Sequence, residues 1–409
     1  MKILFATRIF SGFESSVNAS QWRPSGAPTV YKLLETLIAR GDDLSLIFMA
    51  KTHPDACDIA TDQTIDIDGL ARGIKLLAGP VYFRRWPKRL RWYLTEVRHT
   101  LQIVAQARKF QPDIIYLDRG NYVAAGLLAR FGHRKIVYRM MGVPPDFAHA
   151  WKGKSLFQNL LKWCLKSPFN LVICTQDGSG GEVWLNRLLA EDTPRTMLLN
   201  GVDLPESCSS SISFLANLPA EKTVVLLLGR LEALKRPLEF LSGFREANEA
   251  RPDMLHAVVI GDGILRAEMI EQARQHNLLQ HMDFIGSVDH ETALQAFTRC
   301  DIYVSLNSQG NLSNSNLEAI RSGCCVIFPI ADVATGRDVA TDRMFPDNTI
   351  YRIPSVGRSG ELSKAITFLH DHPTERVDRA ERTKEMARTV INSWSERIQK
   401  EITALETLV

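Results

Sequence analysis

Twice along this chain, short runs of β-branched and other apolar residues alternate with stretches of helical periodicity, and that alternation leaves few folds open. Parallel strands cannot be joined by tight turns; each needs a crossover, usually a helix, and the covering helices bury both faces of the sheet. The strands then read as continuous apolar runs rather than alternating ones. In the first half the strand candidates are KILFATR, LSLIFM, DIIYL, KIVYRM and NLVICT, with helices over about Thr29 to Arg40, Tyr93 to Phe110, Val123 to Phe131 and Ser155 to Leu165. The Ser-rich, aperiodic stretch ESCSSSISFLANLPAEK follows Leu204 and reads as a linker. The alternation restarts with TVVLLLG, LHAVVIG, MDFIG, DIYVSL and CCVIFP, and a polar helical region from about Thr374 closes the chain. At 409 residues the chain exceeds one ordinary core. The pattern therefore predicts an α/β protein of two doubly wound parallel-sheet domains, residues 1–203 and 223–385. Residues 204–222 link them, and a terminal helix over 386–409 is available to pack back on the first domain.

Charge excludes little by itself, since 49 basic and 46 acidic residues leave a net of only +3. The seven cysteines have no Cys-x-x-Cys spacing, which suits reduced core thiols better than a disulfide framework or a zinc site. MKILFATRIF is strand-like and lacks the apolar core and cleavage site of a signal peptide, and no apolar run is long enough to span a bilayer. A cytoplasmic protein is expected, with room for peripheral contact at the inner face of a membrane.

In an open α/β sheet ligands bind where strands end and helices begin. The unusual polar groups of the second half fall there. LLLGRLEALKRP leaves a buried strand through Gly229 and presents Arg230 and Lys235 just before Pro237, which suits a first helical turn. Two cations beside a helix N-terminus make a phosphate site, or else a solvated loop. VVIGDGILRAEM places Gly261 and Gly263 between strand and helix but has Arg266 where a dinucleotide fingerprint needs its third glycine, so a tight turn and a ligand contact both remain open. The stretch SQGNLSNSNLEAIRSG is almost all small and amide residues before Glu318. Ser315 and Glu318 satisfy a capping box. Equally, Ser313, Asn314 and Ser315 would aim backbone N–H groups at an anion, with Glu318 one turn in to accept from vicinal hydroxyls such as a ribose.

In order and spacing these segments resemble the retaining glycosyltransferases of family 4, the glycosyl transferases group 1 that include glycogen synthase-like and sucrose synthase-like enzymes. The resemblance spans nearly the whole chain and is strongest from Leu199, where LLNGVDL, LLLGRLEALKRP, VVIGDGILRAEM and MDFIGSVDHETALQAFTRCDIYVSLN follow one another as family segments do. It implies the GT-B fold, two Rossmann-like domains facing a central cleft. It also implies a nucleotide diphosphate sugar as donor, with Arg230 and Lys235 on the diphosphate and Glu318 on the ribose. Gly229, Gly261, Gly263 and the loop Gly310, Asn311, Ser313, Asn314, Ser315 and Asn316 would complete the donor site. The sequence departs from the family's Glu-x7-Glu motif at its first member, where Gly310 stands. A pocket roomier than one closed by glutamate is expected there, with neutral hydrogen bonds from Asn314 and Ser315.

The first domain matches less closely, as an acceptor side would. RPSGAPTVYKLLETLIARGDDLSLIF resembles the family's glycine loop and helix, with Gly26 as the close-approach glycine; Asp118 and Arg139 end two strands and are candidates for catalysis or for a structural ion pair. Between Tyr82 and Lys109 eight basic residues, Arg84, Arg85, Lys88, Arg89, Arg91, Arg98, Arg108 and Lys109, face Glu96 alone, with Trp86, Trp92 and Tyr93 interleaved. That segment suits an anionic membrane or acceptor, or a solvated helix with a Trp anchor. No nucleic-acid recognition motif accompanies it.

The resemblance implies transfer with retention, in glycan, glycolipid or surface polysaccharide assembly, driven by stabilisation of the leaving phosphate. No Asp-x-Asp motif calls for a metal, and no cofactor beyond the donor is implied. A nucleotide-sugar epimerase or hydrolase of the same fold, or a non-catalytic sugar-nucleotide-binding protein, are the alternatives.

Overall fold

The computed structural model describes residues 1–10, 12–24, 26–50, 59–83, 85–204, 215, 218–354 and 359–409. Most of the expected linker falls outside these residues, as does Arg84. The chain divides into two compact units. The first comprises Met1–Thr175, Trp184–Leu198 and Ser395–Val409; the second comprises Gln176–Val183 and Leu199–Trp394.

The first unit is built on eight strands: β1 (Lys2–Arg8), β2 (Asp43–Met49), β3 (Gln63–Ile67), β4 (Ala71–Leu77), β5 (Ile114–Asp118), β6 (Lys135–Met140), β7 (Leu171–Thr175) and β8 (Arg195–Leu198). Their order is β3-β4-β2-β1-β5-β6-β7-β8, with every pairing parallel except β3–β4. The five strands expected from apolar runs form the centre. The β3–β4 hairpin and β8 go beyond the strands expected from the sequence, and the reason is local. QTIDI is largely exposed at a sheet edge, so it carries no apolar run to announce it.

The second unit holds β9 (Thr223–Leu228), β10 (Leu255–Ile260), β11 (Met282–Gly286), β12 (Ile302–Val304), β13 (Cys325–Pro329) and β14 (Tyr351–Ile353). All are parallel, in the order β11-β10-β9-β12-β13-β14, the doubly wound arrangement whose strand order reverses between β9 and β12. Successive residues of β9 feed opposite faces: Val225 and Leu227 join one buried cluster, Val224 and Leu226 the other. Burial on both sides is what makes TVVLLL a continuous apolar run. The polar C-terminal region forms helices Ser359–Asp371, Pro373–Val390 and Trp394–Glu406, and the last of these lies mostly in the first unit.

Among the described residues no helix is long and apolar enough to cross a membrane. Among them Cys164, Cys174, Cys324 and Cys325 are buried.

Candidate active site

The reversal point of the second sheet puts the loops after β9 and β12 side by side. After Gly229 the chain makes a single turn of 3-10 helix over Ala233–Lys235, passes through a left-handed Arg236 and enters helix Pro237–Ala250 with proline at its first position. The amide and hydroxyl of Ser308, beyond β12, both donate to the Leu234 carbonyl, at 2.9 and 3.1 Å. Two sequence-distant loops are thereby stitched into one rim.

Cations dominate that rim. The Arg230 side chain is 78% exposed, with Glu232 Oε1 3.3 Å away. Lys235 is half-buried, and among the described residues no carboxylate lies within ion-pair distance of it. Burial lowers its pKa, and the charge of Arg230 lowers it further. Arg236 is likewise lowered, by burial and then, against the opposing pull of Glu239, by Arg337. A half-desolvated ammonium next to like charge is costly unless an anion joins it.

Helix N-termini supply the complementary donors. Helix Pro237–Ala250 and helix Asn314–Ser322 both begin without a side-chain cap, so their first-turn N–H groups keep unspent donor capacity. By contrast helix His290–Arg299 is capped by Asp289, which accepts from the Thr292 amide at 2.7 Å. The capping box between Ser315 and Glu318 is not formed: Ser313 is the N-cap, which puts Ser315 inside the first turn and Glu318 too far along to reach back. Glu318 is instead paired with His290, Oε1 to Nε2 3.0 Å, its side chain 13% exposed. The purely capping role for Glu318 is thereby removed.

The amide-rich loop is mostly internal scaffolding. Asn311 and Asn316 are fully buried. Asn311 donates to the Asn307 carbonyl and Asp338 and accepts from Ser305, while Asn316 donates to Ser305 and to the Asn311 carbonyl and accepts from Tyr303. Their side chains are spent on holding the loop, so only its backbone faces outward there. Ser313, Asn314 and Ser315 are half-buried, and Asn314 accepts from Asn200 at 2.6 Å. The expected roomy pocket at Gly310 is corrected. Gly310 has φ 147°, and a Cβ there would lie 2.6 Å from both the Asp177 carbonyl oxygen and the Ser179 nitrogen. Backbone from the end of β7 fills that space. Gly261 and Gly263 are also close-approach positions: a Cβ on the first would strike the Gly229 carbonyl, and one on the second would lie 2.5 Å from the Leu231 carbonyl. Their glycine character is required by loop-on-loop packing after β9 and β10.

The first unit has its own cluster at the reversal point between β1 and β5. Asp118 accepts from Thr7 Oγ1 at 2.8 Å, the Arg8 amide at 3.1 Å and Asn121 Nδ2 at 2.6 Å; burial raises its pKa against those bonds. Arg8 is ion-paired with Glu96 and donates to His99 Nδ1 at 3.1 Å, leaving Nε2–H of His99 for the Ala78 carbonyl at 2.8 Å. Burial, reinforced by Arg8, pushes the His99 pKa down to about 3, so the ring is neutral. Glu96 and His99 come from the basic helix Lys88–Phe110, whose inner face the sequence reading did not resolve. Arg139 is 1% exposed and paired with Glu401 at 3.3 Å, and Arg397 binds the same carboxylate. Burial works to raise Glu401, but the two guanidiniums outweigh it and hold its pKa low. Arg139 therefore sits in a structural ion-pair network. Gly26 is left-handed just ahead of helix Pro28–Ala39.

Two doubly wound parallel-sheet units, one of eight strands and one of six, are the architecture of the GT-B fold. Residues 211–386 match the family model of glycosyl transferases group 1. Over those residues, a little under half of its length, the chain is similar to that family. No curated protein sequence matches it. Among solved structures it is similar to sucrose-phosphate synthase from Thermosynechococcus elongatus, at 17% identity and TM-score 0.70, covering 100% of this chain and 99% of that one. It is also similar to Anabaena HepE in complex with UDP, at 15% identity and TM-score 0.68 over the whole of both chains. The lipopolysaccharide outer core galactosyltransferase WaaB, in its apo form, aligns over the whole of both chains at 14% identity and TM-score 0.61. At such identities the likeness is one of fold.

Proposed function

We propose that the second unit binds a nucleoside diphosphate sugar, with the diphosphate between Arg230, Lys235 and the uncapped ends of helices Pro237–Ala250 and Asn314–Ser322. Glu318 takes the ribose hydroxyls, and the sugar lies along the backbone of the loop from Gly310 to Asn316. The observation that carries this reading is Lys235: half-buried, beside Arg230 and with no carboxylate within ion-pair distance among the described residues. In the reaction, the developing negative charge on the leaving phosphate meets cations and helix dipoles already in place, so little reorganisation is needed. An acceptor hydroxyl attacks from the face the phosphate leaves. UDP is the first nucleotide to try, because HepE was solved with UDP and with UDP-glucose.

The acceptor is a glycan or lipid-linked glycan, in the assembly of a glycolipid or surface polysaccharide, and the first unit meets an anionic membrane. Tyr82 and Trp86 are each 52% exposed, Leu101 63% and Leu156 80%, an unusual display of large apolar side chains on and around the basic helix Lys88–Phe110. Trp92, by contrast, packs edge-on against Tyr93 and Phe157 and belongs to the folded body. The test is transfer from UDP-sugars to lipid-linked acceptors in vesicles. UDP release that rises with acceptor supports the reading; UDP release unaffected by any acceptor would replace it with hydrolysis.

A further inference from the structure

The family pattern puts a carboxylate at position 310, and this chain has glycine there. The space a side chain at 310 would take is filled by the segment Asp177–Ser179, which runs on from β7 and is assigned to the second unit. The packing is tight from both sides. A Cβ on Gly178 would lie 2.6 Å from Asp338 Oδ1 and 2.7 Å from the Asn311 nitrogen. The Leu312 amide donates to the Asp177 carbonyl at 3.1 Å, and the Asp338 amide to the Gly178 carbonyl at 2.8 Å. This segment therefore lies directly on the donor loop.

It carries its own carboxylate. Asp177 Oδ1 accepts from the Ser179 amide at 3.0 Å and from the Ser179 hydroxyl, closing an Asx turn. Oδ2 has no hydrogen-bond partner among the described residues. The charge of Asp177 is felt at Lys235, where it opposes the lowering by burial and Arg230. Burial raises the Asp177 pKa to about 6, against the Ser179 hydrogen bonds, with the nearby Asp338 adding to the rise. Asp338 itself is committed elsewhere, to the Asn311 amide and side chain and to Thr341.

We infer that Asp177 supplies, from a different chain segment, the donor-sugar carboxylate missing at position 310, accepting a sugar hydroxyl through Oδ2 and so positioning the sugar for transfer. The assignment rests on the donor site proposed above. It also explains why position 310 is glycine: a side chain there would displace the segment that delivers the carboxylate.

Asp177→Asn separates this role from a structural one, because an asparagine oxygen still closes the Asx turn. With UDP-glucose and UDP-galactose as probes, the variant should lose tenfold or more in kcat, while UDP itself binds as to the wild type by calorimetry. In the wild type, kcat/KM should fall below an inflection near pH 6 as Asp177 is protonated, with Lys235 and Asp338 as the charged groups facing it; in Asp177→Asn that inflection should vanish. Asp177→Glu should recover part of the loss. Wild-type kcat and pH profile in a folded Asp177→Asn would overturn the assignment. Failure of the wild type to bind UDP or any other nucleoside diphosphate would instead overturn the donor-site reading beneath it.

Discussion

The reversal points of the two sheets are built alike and used differently. In the first unit Arg8, Glu96, His99, Asp118 and Asn121 meet beyond β1 and β5, and almost every polar atom is answered by another protein atom. In the second, Arg230 and Lys235 stand beyond β9 with one half-buried carboxylate, Glu232, between them, flanked by two uncapped helices. A satisfied cluster rigidifies the end of a sheet, whereas cations without close counter-charges are suited to receiving an anion. The same topological position thus carries a closed hydrogen-bonded cluster in one unit and a cationic rim in the other.

The comparison breaks first, and most heavily, where charges are buried. Glu401→Ala leaves Arg139 and Arg397 buried without their shared carboxylate, and should cost about 3–5 kcal/mol of stability in denaturant titrations. A loss under about 1 kcal/mol would mean that the network is solvated. In the second unit the same kind of change should leave folding intact and damage catalysis. Arg230→Ala and Lys235→Ala should each lower kcat by roughly one hundredfold, the scale of losing one donor aimed at developing charge. Unchanged turnover at saturating donor would remove them from the diphosphate. Glu318→Gln keeps a hydrogen bond to His290 but not the charge, and should weaken UDP binding by about tenfold, or 1.4 kcal/mol, in calorimetry. The smallest effect belongs to the outer face of the first unit, where Trp86→Ser with Arg85→Glu should reduce sedimentation with phosphatidylserine vesicles several-fold at low salt, while wild-type protein that ignores such vesicles would end the membrane reading.

Legibility in the sequence followed burial. The central strands of both sheets were readable because both faces are covered, whereas the exposed β3 and the three-residue β14 gave no apolar run to find. The cationic rim was readable at Arg230, Lys235 and Pro237 because strand end, cation and helix start are contiguous in the chain. Asp177 was not, since its closeness to Gly310 is created by folding across more than a hundred residues; the glycine-rich turn TQDGSGG was the one local hint. Glu96 looked like a lone acid in a basic helix, because helical periodicity alone does not say which face a buried arginine from β1 will meet. The Asn-rich loop misled in the opposite direction, its amides pointing inward to hold the loop's shape.

Thermal unfolding of wild type and Lys235→Ala with and without UDP, GDP, ADP and CDP tests the account at its centre. A ligand bound only by the folded state at one hundred times its Kd stabilises by about 2.7 kcal/mol, which a melting curve resolves. One diphosphate should raise the wild-type Tm by several degrees, and the rise should be lost in Lys235→Ala, whose ligand-free Tm stays close to that of the wild type. No shift with any of the four, or an undiminished shift in Lys235→Ala, would contradict the claim that the open cations of the second unit are the donor phosphate site.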